Sequence, residues 1–340
     1  MTVTFTDIQQ AAERIQPYAH RTPVMTNESL NQQVDAQVYM KCENLQKVGA
    51  FKFRGATNAV FSLTDEEAAR GVVTHSSGNH AAALALAARN RGIPAYIVMP
   101  SNAPQVKKDA VAGYGGQITF CEPTLQARES TMESIREKTG AAVIHPYNNE
   151  RVIAGQGTAA LELLADFPDL DVIIAPVGGG GLLSGTSIAA KGLKPGIRVI
   201  AGEPEMADDA FRSMQAGRII PSENPKTVAD GLLTSLGGLT FPIIQQNVEQ
   251  IVTVSEAGII AAMKFVWERA KIIIEPSSAV AIGVLWEKKI DLSGLKIGVI
   301  ISGGNVDLAK LPWQSVVSIR RRWSSSPKGI SRPAAYSTTV

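Results

Sequence analysis

Short runs rich in β-branched residues alternate with segments of helical period through most of the 340-residue chain. That alternation restricts the fold more than any other feature. A strand that returns to a parallel neighbour needs a crossover, usually a helix, so the pattern calls for βαβ units. Strands are expected over 71–75, 95–99, 117–121 and 141–144, separated by helices over 79–91, 104–112 and 124–139. A second series runs through helix 155–166, strand 171–177, helix 181–191 and strand 197–202. It ends with a strand near 251–254, helices over 256–271 and 277–287, and a strand over 296–301. Ahead of both series lie an amphipathic helix over 6–16 (capped by Thr6 or Asp7), an extended segment at 20–24, a strand over 37–41 and a helix over 52–63. The two series read as two α/β domains, with the N-terminal segment free to join either. No fixed-period repeat is present.

Composition narrows the class. Lys plus Arg is 33 against 31 for Asp plus Glu, a net charge of +2, and no basic stripe precedes the tail, so no nucleic-acid partner is expected. The two cysteines, Cys42 and Cys121, are too few for a disulfide framework and suit a reducing compartment. No signal-peptide core opens the chain and no apolar run reaches membrane-spanning length, so a cytoplasmic protein is expected. Residues 314–340 carry Arg320 to Arg322, Ser324 to Ser326 and scattered prolines without periodicity, and are expected to be a disordered tail.

Several stretches carry chemistry. Gly178, Gly179, Gly180 and Gly181 follow a buried strand and open a helix; their unobstructed N–H groups and the helix N-terminus make a phosphate cradle. The run lacks the P-loop lysine and the G-x-G-x-x-G spacing, which favours a phosphate monoester over a nucleotide. Ser76-Ser77-Gly78-Asn79-His80 sets hydroxyls, an amide and helix-terminal N–H groups together, suited to a carboxylate or phenolate oxygen, although helix capping accounts for part of it. Ser302 follows a strand at the end where parallel sheets bind ligands. Lys52 stands in an apolar, glycine-bracketed run beside Phe51 and Phe53. Such an amine either snorkels to solvent or, desolvated, attacks an aldehyde cofactor. Glu203 to Asp209 packs four carboxylates into seven residues, a solvated acidic loop or a site for a hard cation.

A lysine for an aldehyde, a glycine cup for a phosphate and polar groups for a ring together describe pyridoxal phosphate. The chain resembles the fold-type II pyridoxal-phosphate enzymes, and within them the serine racemase and serine/threonine dehydratase group. The resemblance rests on Gly49 to Ala56, Ser76 to His80, Val152 to Thr158, Gly178 to Leu182, Ala229-Asp230-Gly231 and Ser302 to Asp307, in that order along nearly the whole chain. It implies an α/β fold like the tryptophan synthase β subunit, with two open, twisted, mostly parallel sheets and flanking helices. Residues 1–68 and 150–313 would form the large cofactor-binding domain, and 69–149 a small mobile domain that closes on substrate.

The same resemblance implies roles. Lys52 would carry the cofactor and remove the α-proton from one face, and Ser77 would be the acid/base on the other. Phe51 would lie against the cofactor ring and Asn79 would bond its hydroxyl. Gly178 to Gly181 with Leu182 would hold the phosphate, Gly231 would line the site and Ser302 would meet the pyridine nitrogen. Ser76, Ser77, Asn79 and His80 would grip the substrate carboxylate, with Thr234 close by and Arg128 placed to pair with a second carboxylate. Glu203, Asp209 and the Ala207 carbonyl match the family's divalent-metal loop, for Mg²⁺ or else Ca²⁺ or Mn²⁺. A serine at the ring nitrogen cannot hold the charge an aspartate would, so prompt loss of a β-hydroxyl competes with reprotonation.

The expected enzyme is a homodimeric serine racemase and dehydratase that releases pyruvate and ammonia from serine. The alternatives are a threo-3-hydroxyaspartate ammonia-lyase, favoured by Ala50 where serine is usual, an L-threonine dehydratase and, remotely, a non-catalytic binding regulator on the same fold. Val48 and Ala82 depart from the animal pattern and count against an ATP effector, to which Lys47, Tyr114 and Asn305 would otherwise contribute.

Overall fold

The computed structural model describes residues 3–314. The tail expected over 314–340 lies outside them apart from its first residue. Among the described residues ten strands form: β1 (Val24–Met25), β2 (Gln37–Cys42), β3 (Val72–His75), β4 (Ala95–Pro100), β5 (Gln117–Cys121), β6 (Ala142–Val143), β7 (Val172–Pro176), β8 (Arg198–Pro204), β9 (Gln250–Val254) and β10 (Lys296–Ile301). They make a six-stranded sheet in the order β1-β2-β10-β7-β8-β9 and a four-stranded sheet in the order β5-β4-β3-β6. Every pairing is parallel except β1 on β2. The α/β class with two mostly parallel sheets is therefore as the motifs implied.

Helices cover both faces of the larger sheet, and its central strands are apolar throughout. Val172 to Pro176 are all buried, with no polar alternation. Val299 of β10 registers with Met40 on one side and Ile174 on the other, all three in one core. β5 is an edge strand with a half-exposed pattern, and Lys108 lies over the Phe120 ring there. Among the described residues no helix is long and apolar enough to cross a membrane.

Some boundaries move, for local reasons. The first helix is Phe5–Ile15, capped by Thr4 in a reciprocal box with Asp7. The helix expected from 155 starts at Glu150, because Asn149 accepts from the Val152 N–H and fixes its first turn. The segment 256–271 is an α-helix, Glu256–Phe265, followed by a π-helical turn, Val266–Ala270, that stops at Lys271 in a left-handed conformation. Helices Glu28–Val34, Asp209–Ala216 and Thr240–Asn247 were not expected; they span only seven or eight residues, too short for a clear period.

Glycines set how the helices near the crevice stack. The helix Lys52–Phe61 crosses Glu150–Asp166 at Gly55 and Gly155. A Cβ on Gly155 would stand 2.7 Å from the Gly55 Cα. Glu150–Asp166 in turn crosses Gly181–Leu193, where a Cβ on Gly185 would come 2.5 Å from the Gly157 N. The central helix thus fixes the spacing between the helix that starts at Lys52 and the helix that starts at the glycine cup.

Arg54, with no exposed side-chain surface, ties the Lys52 helix to the sheet. Its guanidinium donates to Glu43 Oε2 at 2.7 Å and to Glu162 Oε1 at 2.8 Å, while the buried Lys41 ammonium meets Glu162 Oε2 at 2.6 Å. Two cations against two carboxylates, each hydrogen-bonded, is the condition under which charge is tolerated in a core.

Candidate active site

The carboxyl ends of parallel strands collect the groups singled out above, as open α/β sheets do. Ser76 to His80 follow β3, Gly178 to Gly181 follow β7, Glu203 to Asp209 end β8, and Ser302 follows β10. Lys52 follows β2 after two short 3₁₀ turns, Glu43–Leu45 and Lys47–Gly49.

Lys52 is the first residue of its helix and is half-buried. Its Nζ donates to the Pro146 carbonyl at 2.8 Å and lies 5.1 Å from the Phe51 ring centroid. Burial pushes its pKa down to about 8, opposed by the carboxylate of Glu275. A share of the amine is therefore neutral, and nucleophilic, near physiological pH. The Phe51 N–H donates to the Ser302 carbonyl at 2.9 Å, and Ala50 bridges Gly303, so the lysine turn is stitched to the end of β10.

Gly78 caps the helix Asn79–Arg91 and no side chain caps it. Ser76, Ser77 and Asn79 are half-buried at this terminus, with Ser76 Oγ 3.4 Å from the Gly78 N–H. His80 turns away from solvent. Its Nε2 sits 3.0 Å from the Ile144 carbonyl, and burial, with Lys52 adding to it, pushes the ring down to about 3. The imidazole is neutral and faces a carbonyl, so what His80 offers an anion is its helix-terminal N–H.

The glycine cup admits no side chains. A Cβ on Gly179 would stand 2.4 Å from the Tyr147 ring, and one on Gly181 2.9 Å from Tyr147 Cβ. Gly180 has φ +88°, and a Cβ there would meet Thr240 and Ile244 at 2.8 Å. Leu182 is buried behind the cup, and Gly231 approaches Gly178 while donating its N–H to Ser277 Oγ at 2.9 Å. Ser302 Oγ lies 2.9 Å from Ser278 Oγ, buried at the floor.

Arg128 is half-buried on the helix Leu125–Thr139, and its charge acts on His75, the residue before Ser76. Thr234 is exposed and hydrogen-bonds Tyr147. In the acidic loop, Glu205 pairs with Lys289, and Asp208 pairs with Arg212 at 2.8 Å. Glu203 and Asp209 are buried with the Ala207 backbone, and the two Glu203 oxygens accept from the Ala210 and Phe211 N–H groups at 2.7 and 2.8 Å. Burial raises Glu203 to about 8 and Asp209 to about 6, and one Asp209 oxygen is buried with no hydrogen-bond partner. Two desolvated carboxylates and an orphaned oxygen fit a hard cation. Among the described residues no group of three or more His, Cys, Asp or Glu side chains is placed to hold a metal.

Three participants had no motif to announce them. Glu275, 5% exposed, faces Lys52 and Asn79; Tyr147 walls the glycine cup; Ser278 meets Ser302. The only sequence trace of the first was a glutamate in place of the usual small cap before Pro276. A desolvated lysine beside an aromatic ring, a cup that only glycine can line and a buried hydroxyl pair are what pyridoxal phosphate needs from a protein.

The family model of the pyridoxal-phosphate dependent enzymes matches residues 15–303. The chain is 53% identical over 310 residues to the β-hydroxyaspartate dehydratase of Paracoccus denitrificans, covering 91% of this chain and 98% of that one. It is also 53% identical over 317 residues to the serine racemase of Dictyostelium discoideum, covering 91% and 97%. The crystal structure of that racemase superposes with a TM-score of 0.86 over 91% of this chain and 100% of its own. The L-threo-3-hydroxyaspartate ammonia-lyase of Saccharomyces cerevisiae is 46% identical over 308 residues, 90% of this chain and 94% of that one. The chain belongs to the pyridoxal-phosphate dependent enzymes, alongside serine racemases and hydroxyaspartate ammonia-lyases.

Proposed function

We propose that the protein removes the α-proton of serine and partitions the product between racemisation and loss of the β-hydroxyl to pyruvate and ammonia. Held in the site by Lys52 and the glycine cup, pyridoxal phosphate would supply, once joined to the substrate amine, the electron sink that makes the α-proton acidic, and the Lys52 amine released in that exchange would take the proton. The observation that carries the reading is the Lys52 amine, held at 2.8 Å from Pro146 O with its pKa near 8, in a crevice shared with the Ser76–Asn79 turn and the glycine cup. A base poised near operating pH is what proton abstraction requires. Ser77, on the other sheet, returns a proton from the opposite face. The N–H groups of Asn79 and His80 orient the carboxylate, and Ser302 leaves the ring nitrogen uncharged.

The charge of Arg128 beside His75 supports a second substrate, threo-3-hydroxyaspartate, whose extra carboxylate it would pair with. The relatives from Paracoccus and Saccharomyces point the same way. L-Threonine differs from serine by one methyl group and remains within the class. Mg²⁺ at Glu203, Asp209 and the Ala207 carbonyl, a cytoplasmic homodimer, and closure of residues 69–149 onto the rest belong to the same reading.

A substrate panel assayed for keto acid, ammonia and enantiomer, with and without EDTA, tests it. Pyruvate and D-serine from L-serine are the expected products. Faster turnover of threo-3-hydroxyaspartate selects the second substrate, and cofactor binding with no product from any of the three marks a non-catalytic binder.

A further inference from the structure

We infer that Glu275 is a positioning residue that locks the Asn79 side-chain amide with an N–H, not its carbonyl oxygen, available to the cofactor's ring oxygen. The inference rests on the reading that Asn79 meets that oxygen.

The lock is built from two sides. Asn305 Nδ2 donates to the Val48 carbonyl at 2.8 Å and to Asn79 Oδ1 at 2.9 Å. A backbone carbonyl only accepts, so Val48 fixes which end of the Asn305 amide faces it. The second Asn305 N–H then fixes Asn79 Oδ1, and Asn79 Nδ2 is turned to Glu275. Glu275 receives it with both oxygens, at 3.1 and 3.2 Å. The two oxygens of one carboxylate subtend too narrow an angle at Nδ2 to take both hydrogens. One N–H is shared between them and the other is left for a ligand.

The backbone makes room for this arrangement. Val48, a β-branched residue, has φ +58°, in the left-handed region that such residues avoid. A Cβ on Gly49 would stand 2.6 Å from Asn305 Oδ1, and one on Gly303 2.8 Å from Glu275 Oε1. Glu275 occupies the cap position of the helix Pro276–Trp286 and makes no capping bond. Its Oε2 accepts instead from the Asn305 N–H at 3.1 Å. Serine or aspartate there would cap the helix; glutamate is long enough to reach Asn79. Burial pushes the Glu275 carboxyl up to about 7 and Asp230, itself paired with Lys107 at 2.8 Å, adds to the rise, while the N–H groups of Asn79 and Asn305 and the charges of Lys107 and Lys52 oppose it, so the acceptor-only form prevails above that pH.

The test reads the visible absorbance band of the holoenzyme and the dissociation constant of pyridoxal phosphate. A carboxamide in place of the Glu275 carboxylate can present either a donor or an acceptor, so Glu275→Gln frees the Asn79 amide to turn over. E275Q is expected to shift intensity from the visible to the near-ultraviolet band and to weaken cofactor binding by about tenfold. N305A, on an exposed loop, is expected to act in the same direction and carries the test should E275Q fail to fold. In an N79A background E275Q should change neither reading further. A full E275Q shift in that background, or an unmoved band in E275Q when N79A moves it, overturns the inference alone. An unmoved band in N79A overturns the placement of Asn79 beneath it, and the inference with it.

Discussion

Lys52 follows β2 of the larger sheet and Ser77 follows β3 of the smaller, and the division of labour proposed for them is separable by mutation. With Ser77 as the acid/base on the face opposite Lys52, S77A removes only the proton return that inverts the centre. Racemisation of L-serine is expected to fall by about 100-fold. Elimination from L-serine, which needs Lys52, should fall by less than about tenfold. Chiral product analysis beside a pyruvate assay measures both, and equal loss counts against the two-face assignment. At this scale the sequence was informative where a residue type is out of place: a lysine in an apolar run, four glycines before a helix, a serine ending a strand. It was silent about Glu275 and Tyr147, because a glutamate before a proline and a tyrosine after one are ordinary until the fold brings Asn79 and Gly179 against them.

Among the elements, the helix Glu150–Asp166 bears most on site geometry, since it touches both the Lys52 helix and the helix of the glycine cup through glycine contacts. A methyl group at Gly185 would sit 2.4 Å from the Ile153 carbonyl, with backbone rather than a flexible side chain in its way. G185A is expected to destabilise the protein by about 1–3 kcal/mol. It should also weaken cofactor retention, as the two helix starts move apart. Chemical denaturation and dialysis against cofactor-free buffer measure the two effects; native values for both would show that the crossing is not tightly set. The motif Val152 to Thr158 was visible in the sequence, but its packing role was not. The sequence pattern puts the helix start at 155, five residues after its place in the structure, because Gly155 and Gly157 interrupt the apolar period, while Asn149, the cap, lies in a run of polar residues that also reads as loop. Strand order was likewise beyond reach: β10 inserts between β2 and β7, a pairing set by long-range packing.

For the whole molecule, stability should depend on pH through the carboxylates at the end of β8. Folding raises Glu203 from 4.5 to about 8 and Asp209 from 3.8 to about 6. The folded state therefore binds protons more tightly than the unfolded one across this window, and stability falls as pH rises through it. A divalent cation that takes the place of those protons reverses the trend. Mg²⁺ at a hundredfold excess over its Kd is expected to raise Tm by about 5 °C at pH 8 and by much less at pH 5. D209N should remove the difference. Thermal melts at both pH values with and without EDTA make the comparison, and a cation effect independent of pH would speak against a site at Glu203 and Asp209.

Glycine at four places, Gly155 and Gly157 in one helix and Gly55 and Gly185 on the helices beside it, has a further consequence for what holds that helix together. A helix whose centre reads Ala-Gly-Gln-Gly-Thr has weak intrinsic helicity. Its stability must come from the helices stacked on either side, one leading from β2 toward the smaller sheet and the other following β7 of the larger. Glu150–Asp166 is therefore held by both partners at once, and the contact between the helices of the two sheets passes through it. The geometry between Lys52 and the glycine cup is accordingly a collective property of three stacked helices rather than of either sheet alone.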